Sequence, residues 1–155
     1  MIYQTKNIQF IDQILSQTHP HLTKYLLKTN LNEKAVPYLI KKLNEYNDIL
    51  SKESNHFDSK PFREKRNNVL TMIESLGPLA KDAVPSLINS LKSEPVNDLG
   101  IIFALNSIGS PHAKPALPKL KEVLNTLKEE YKNTSALGIL VYYNDLKNLI
   151  EKLSA

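Results

Sequence analysis

The chain has 155 residues, enough for one ordinary domain that buries roughly 70% of its unfolded surface, and it carries a net charge of +4 with no cysteine and no tryptophan. The missing cysteines exclude disulfides, thiol catalysis and cysteine-ligated zinc. Four glycines beside nine prolines favour helices separated by proline-marked turns, and the charge is thinly spread, with eight basic and six acidic groups in residues 1–60, five and five in 61–110, and seven and five in 111–155.

The first residues, Met1-Ile2-Tyr3-Gln4-Thr5-Lys6-Asn7-Ile8, lack a basic run followed by an apolar one and a small-residue cleavage site, so no signal peptide is expected and the cytoplasm is the expected location. Ile8, Ile11, Ile14 and Leu15 stand at helical spacing and predict a first short helix over residues 7–17. Leu22, Tyr25, Leu26 and Leu27 predict a second over 21–28, and Asn32 is placed to cap the next. That third helix opens with the phrase Ala35-Val36-Pro37-Tyr38-Leu39-Ile40-Lys41-Lys42-Leu43 and continues its apolar stripe through Tyr46, Ile49 and Leu50. Residues 51–61 are polar, aperiodic and end in proline, which reads as a mobile, solvent-exposed loop. A helix over 62–76 follows, with Val69, Leu70, Ile73 and Leu76 inward. Arg63, Lys65 and Arg66 then fall in its first turns, where cations oppose the helix dipole, a hint of something anionic nearby.

Gly77-Pro78 closes this helix, because glycine tolerates the left-handed conformation and proline cannot continue the ladder. Asp82 is the expected cap of a second copy of the phrase, Ala83-Val84-Pro85-Ser86-Leu87-Ile88-Asn89-Ser90-Leu91. Residues 99–108 are helical through Ile101, Ile102, Leu105 and Ile108, and Gly109 ends them. A third copy, Ala116-Leu117-Pro118-Lys119-Leu120-Lys121-Glu122-Val123-Leu124, starts a helix that reaches about residue 131. Thr134 or Ser135 caps a last helix to Leu153. Its early part, residues 137–143, is nearly all apolar, too short to cross a membrane, which takes roughly 20 residues, and expected to pack on more than one side.

The repeated unit is therefore helix, turn, proline-started helix, with extra length between the first two copies where arrays of this kind tolerate insertion. The stretches Leu76-Gly77-Pro78-Leu79-Ala80-Lys81-Asp82-Ala83-Val84-Pro85-Ser86-Leu87-Ile88 and Ile108-Gly109-Ser110-Pro111-His112-Ala113-Lys114-Pro115-Ala116-Leu117-Pro118 resemble HEAT repeats of the small prokaryotic kind. The resemblance covers about residues 33–130. The first unit lacks the glycine turn, and the third has one extra residue between Gly109 and Pro118. It implies an all-α fold, a short α-solenoid of about seven to eight helices in antiparallel pairs, forming one domain over 1–155. Residues 1–30 would cap one end, 33–132 form the repeats, and 134–153 cap the other. It also implies a concave surface lined by the proline-started helices and used mostly to bind proteins.

If Ala83, Val84, Leu87, Ile88 and Leu91 face the core, then Ser86, Asn89, Ser90 and Ser93 point away. Carried across the copies, this selects Tyr38, Lys41, Lys42 and Glu45, then Ser86, Asn89 and Ser90, then Lys119, Glu122 and Thr126 as a partner-binding strip. Catalytic constellations are not found: His19-Pro20-His21 and His112 lack companion ligands, the isolated glycines make no phosphate loop, and Glu129, Glu130 and Asp145 read as solvated. Some HEAT-like proteins are enzymes, but they resemble longer chains. The expectation is a non-enzymatic binding module without cofactor or metal, monomeric when unbound, that holds one protein partner. Its sharpest form is a bacterial toxin-neutralising immunity protein. The alternative is nucleic-acid binding through Lys41, Lys42, Lys60, Arg63, Lys65, Arg66 and Lys119, with steep salt dependence. A third reading is self-association near Tyr142 and Tyr143.

Overall fold

Among the described residues of the computed structural model, 2–16, 32–52, 56–92, 95–133 and 137–155, the chain is all helical with no strand. It forms α1 (Ile2–Ser16), α2 (Val36–Lys52), α3 (His56–Leu76), α4 (Val84–Ser90), α5 (Pro95–Ile108), α6 (Leu117–Asn133) and α7 (Leu137–Ser154). Six of these run for 14 residues or more and α4 is a two-turn segment of seven, so six full-length helices stand among the described residues where seven to eight were expected. The middle proline-started helix is cut short, and the helix expected at 21–28 lies outside the described residues, as do His19-Pro20-His21, Thr134 and Ser135.

Each proline-started helix begins in the same way. A 3₁₀ turn, at Glu33–Ala35, Gly77–Ala83 or Lys114–Ala116, runs straight into α2, α4 or α6. The first N–H of each helix, from Val36, Val84 or Leu117, donates back into its turn to the carbonyl of Glu33, Lys81 or Lys114. The alanine at the junction is buried in all three copies, and the proline two residues later is exposed. Asn32 caps the first turn as expected, its Oδ1 accepting from the Lys34 N–H at 3.0 Å. Asp82 does not cap α4: Ala83 holds that position, and no side chain bonds the helix end. The turn already supplies the acceptor that a capping side chain would offer. Gly77 (φ 54°) and Gly109 (φ 71°) take the left-handed conformation expected of them, which other residues adopt only with strain.

The expected loop at 51–61 is the main correction. Residues 51–52 finish α2 and 56–61 open α3, with Pro61 exposed inside the helix. The buried positions 59, 66, 69, 73 and 76, with half-buried Phe62 between the first two, keep helical spacing along one face. Two of them are Ser59, 3% exposed, and Arg66, 4% exposed, so hydrophobic periodicity loses the stripe where the helix begins.

The core is one apolar cluster, contributed by every helix. Alternate helices touch in order: α1 packs on α3, α3 on α5 and α5 on α7, while α2 covers α3, α4 packs on α2 and α5, and α6 on α7. At Gly100 of α5 a side-chain carbon would come within 3.0 Å of Leu70, so this glycine lets α3 and α5 approach closely. Ser107 Oγ donates to the Glu74 carbonyl at 2.6 Å and ties the C-terminal ends of the same two helices. Asp98 meets Tyr142, and Asn106 meets Lys152, so α5 and α7 run in the same direction. In the early part of α7 the described side chains divide: Tyr142 is buried and Tyr143 half buried, whereas Leu140 and Val141 are exposed, Val141 to 57%. Among the described residues the helix packs chiefly on α5 and α6.

Candidate binding face

The strip selected by the repeat divides into three different local structures. On α2, Tyr38 is half buried, and its hydroxyl donates to Asp12 Oδ1 of α1 at 2.6 Å. Burial first, and then the Asp12 hydrogen bond, push this hydroxyl above the ordinary tyrosine range. Lys42 Nζ lies 3.1 Å from Glu45 Oε2, with the rings of Tyr38 and Tyr46 at 5.8 and 5.9 Å from it. Partial burial works to lower its pKa, but the Glu45 hydrogen bond and charge outweigh that and leave the ammonium raised. Tyr46 is also raised, chiefly by burial. Lys41, one residue away on the helix, is exposed and, among the described residues, has no hydrogen-bond or ion-pair partner.

The middle copy is a correction to the strip. Ser86 is half buried and Asn89 exposed, but Ser90 is only 4% exposed and belongs to the interior. Its Oγ accepts from Asn47 Nδ2 at 2.7 Å and donates to the Ser86 carbonyl at 2.6 Å. Arg66 Nε donates to Asn47 Oδ1 at 2.6 Å, which completes a buried polar chain across α3, α2 and α4. Helix geometry explains the error. At 100° per residue, a position seven beyond the buried alanine returns to within roughly 20° of it. Ser90 and its counterpart Val123 are accordingly buried, and Lys42, at the same register, is half buried. The position six beyond the alanine points the other way: Lys41, Asn89 and Glu122 are exposed in every copy.

On α6, Lys119 Nζ lies 2.6 Å from Glu122 Oε1, and Thr126 Oγ1 donates to the Glu122 carbonyl. Such exposed pairs contribute little to stability. The hint from cations at the start of the helix over 62–76 does not survive. Residues 63–66 sit beyond the first turn of α3, and Arg66 is absorbed by the Asn47 hydrogen bond.

Sequence reading missed Asp12, Asn47 and Arg66 as partners of the strip, because nothing in spacing shows which helices meet. Asn47 does carry one signal. It is a polar residue next to the apolar face that Leu43 and Tyr46 define. Among the described residues, no group of three or more His, Asp or Glu side chains is arranged to hold a metal ion, and no helix is long and apolar enough to cross a membrane. Comparison with protein-family models, with curated proteins and with solved structures returns no match.

Proposed function

We propose that the chain is a short HEAT-like α-solenoid and a non-enzymatic binding module that holds one protein partner on the face of its proline-started helices, α2, α4 and α6. The sharpest form of this reading is a small bacterial inhibitor of the toxin-neutralising type. The observation that carries it is the register position that stays exposed in all three copies while its chemistry changes, Lys41, Asn89 and Glu122. Half-buried Tyr38, Ser86 and Lys119 flank it, and an amphiphilic mixture of this kind suits a protein interface.

Nucleic-acid binding draws less support, since Arg66 is buried and Lys42 and Lys119 each face a carboxylate of their own helix. The decisive experiment uses the full chain as bait in lysate of its source organism, beside the double variant Lys41→Glu with Glu122→Lys. A stoichiometric protein retained by the parent chain and lost by the variant, at unchanged helical circular dichroism, supports the reading. Equal retention by both moves the site off this face, and a nucleic-acid shift at low salt in place of a protein partner overturns it.

A further inference from the structure

Away from the proline-started helices, α5 and α7 leave an open cleft of about 200 Å³ lined by Ile102, Phe103, Asn106, Asp145, Asn148, Leu149 and Lys152. Its lining mixes polar and apolar groups, and Phe103 among them is 41% exposed, large for an aromatic ring that could have packed inward. The two charged residues differ in how they are satisfied. Lys152 Nζ donates to the Asn106 carbonyl at 3.3 Å and to Asn106 Oδ1 at 2.8 Å, so the cationic end of the cleft is engaged by neutral oxygens. Asp145 is half buried and, among the described residues, has no hydrogen-bond or ion-pair partner. It stands two turns before Lys152 on α7, roughly 10 Å along the axis. Of the two charged groups in this cleft, the carboxylate is therefore the one whose bonding capacity is unused among the described residues.

A carboxylate and an exposed aromatic ring lining one cleft are the chemistry that takes a guanidinium. The carboxylate accepts two parallel N–H bonds, the planar cation stacks on the ring, and the aliphatic stem lies on apolar carbon. A lysine ammonium would satisfy the charge but could not stack or bond in two places at once. We propose that the α5–α7 cleft receives an arginine side chain presented by a protein partner, with Asp145 as the ion-pair acceptor and Phe103 as the stacking wall. This surface is separate from the face of α2, α4 and α6 and stands whether or not that face binds.

The probe is N-acetyl-arginine N-methylamide, titrated into the ¹⁵N-labelled full chain while backbone amides are followed by NMR. Saturable shifts confined to the amides around Phe103, Asp145 and Asn148 are expected, with affinity in the millimolar range for a single side chain. Asp145→Asn should abolish saturation and Phe103→Leu should weaken it several-fold. Both positions are solvent-accessible, so each variant's own spectrum reports whether the fold is kept. The norleucine analogue should give no saturable shift. Absence of saturation with the arginine probe, shifts that persist in Asp145→Asn, or equal affinity for the lysine or norleucine analogue would each overturn the assignment.

Discussion

The first and second proline-started helices begin with the same phrase and end differently. From Val36, α2 runs for 17 residues, whereas from Val84, α4 runs for seven. Both bury the leucine eight places beyond the alanine, Leu43 within the helix and Leu91 just after it, where the chain has turned extended (ψ 117°). The phrase thus sets how a helix starts and which residue reaches the core, and the residues after it set the length. After Leu43 come Asn44, Glu45 and Tyr46, which continue the stripe, while Pro95 follows Leu91 closely and disfavours helix in the residue before it. The chain leaving α4 is caught by α5: the Lys92 N–H donates to Asp98 Oδ2 at 3.1 Å. Buried Asp98 in turn takes the Tyr142 hydroxyl of α7 at 3.4 Å.

The polar chain from Arg66 through Asn47 to Ser90 joins these two unequal helices, and breaking it tests the comparison most severely. Arg66→Ala should lower the free energy of unfolding by about 3 kcal/mol, because it removes buried stem packing and leaves Asn47 Oδ1 without its charged donor. Urea denaturation monitored by circular dichroism measures it, and a loss well under 1 kcal/mol would show that the chain contributes little.

Ser90→Val, which installs the residue found at the same register in the third copy, should cost about 1–2 kcal/mol by stranding Asn47 Nδ2. A double-mutant cycle with Asn47→Leu should show positive coupling, since an apolar pair leaves no amide donor stranded. Additive losses would mean that Ser90 acts alone.

The smallest effect belongs to α2. Tyr38→Phe removes the hydrogen bond to Asp12 and should cost about 1 kcal/mol near neutral pH. Because folding raises the Tyr38 hydroxyl, the native state holds that proton more tightly than the unfolded chain. Its stabilising contribution is complete below the unfolded tyrosine value of about 10 and is lost as pH rises beyond it. Denaturation followed between neutral and strongly alkaline pH should therefore show a shallower decline in Tyr38→Phe than in the parent chain. The decline that remains includes Tyr46 and Tyr142, both also raised chiefly by burial, and Lys42, which despite its partial burial is raised by Glu45.

What was legible in the sequence followed from local rules. Gly77 and Gly109, the three alanine-to-proline starts and the stripes of α2, α6 and late α7 depend on residues close together in the chain, and they came out as read. The start of α3 did not, because Ser59 and Arg66 stand where periodicity needs apolar residues, and burial along α3 depends on other helices, α2 foremost, packing against it. Ser90 failed for a related reason: a polar residue on the flank of a stripe is assigned outward unless its partner is known, and Asn47 lies 43 positions away. The exposure of Leu140 and Val141 was likewise invisible, since an apolar run says nothing about how many neighbours are present to cover it.

The way the proline-started helices begin also bears on which ligands this fold can attract. Helices commonly gather phosphate or sulfate at their starts, where first-turn N–H groups point outward without partners. In α2, α4 and α6 the first such group is already bonded to the preceding turn, and the second residue is a proline with none to offer. The first two positions of each of these helices thus offer an anion no free N–H, so at these starts a negatively charged partner is left mainly to side chains, and lysines such as Lys41 carry the charge selectivity of this face.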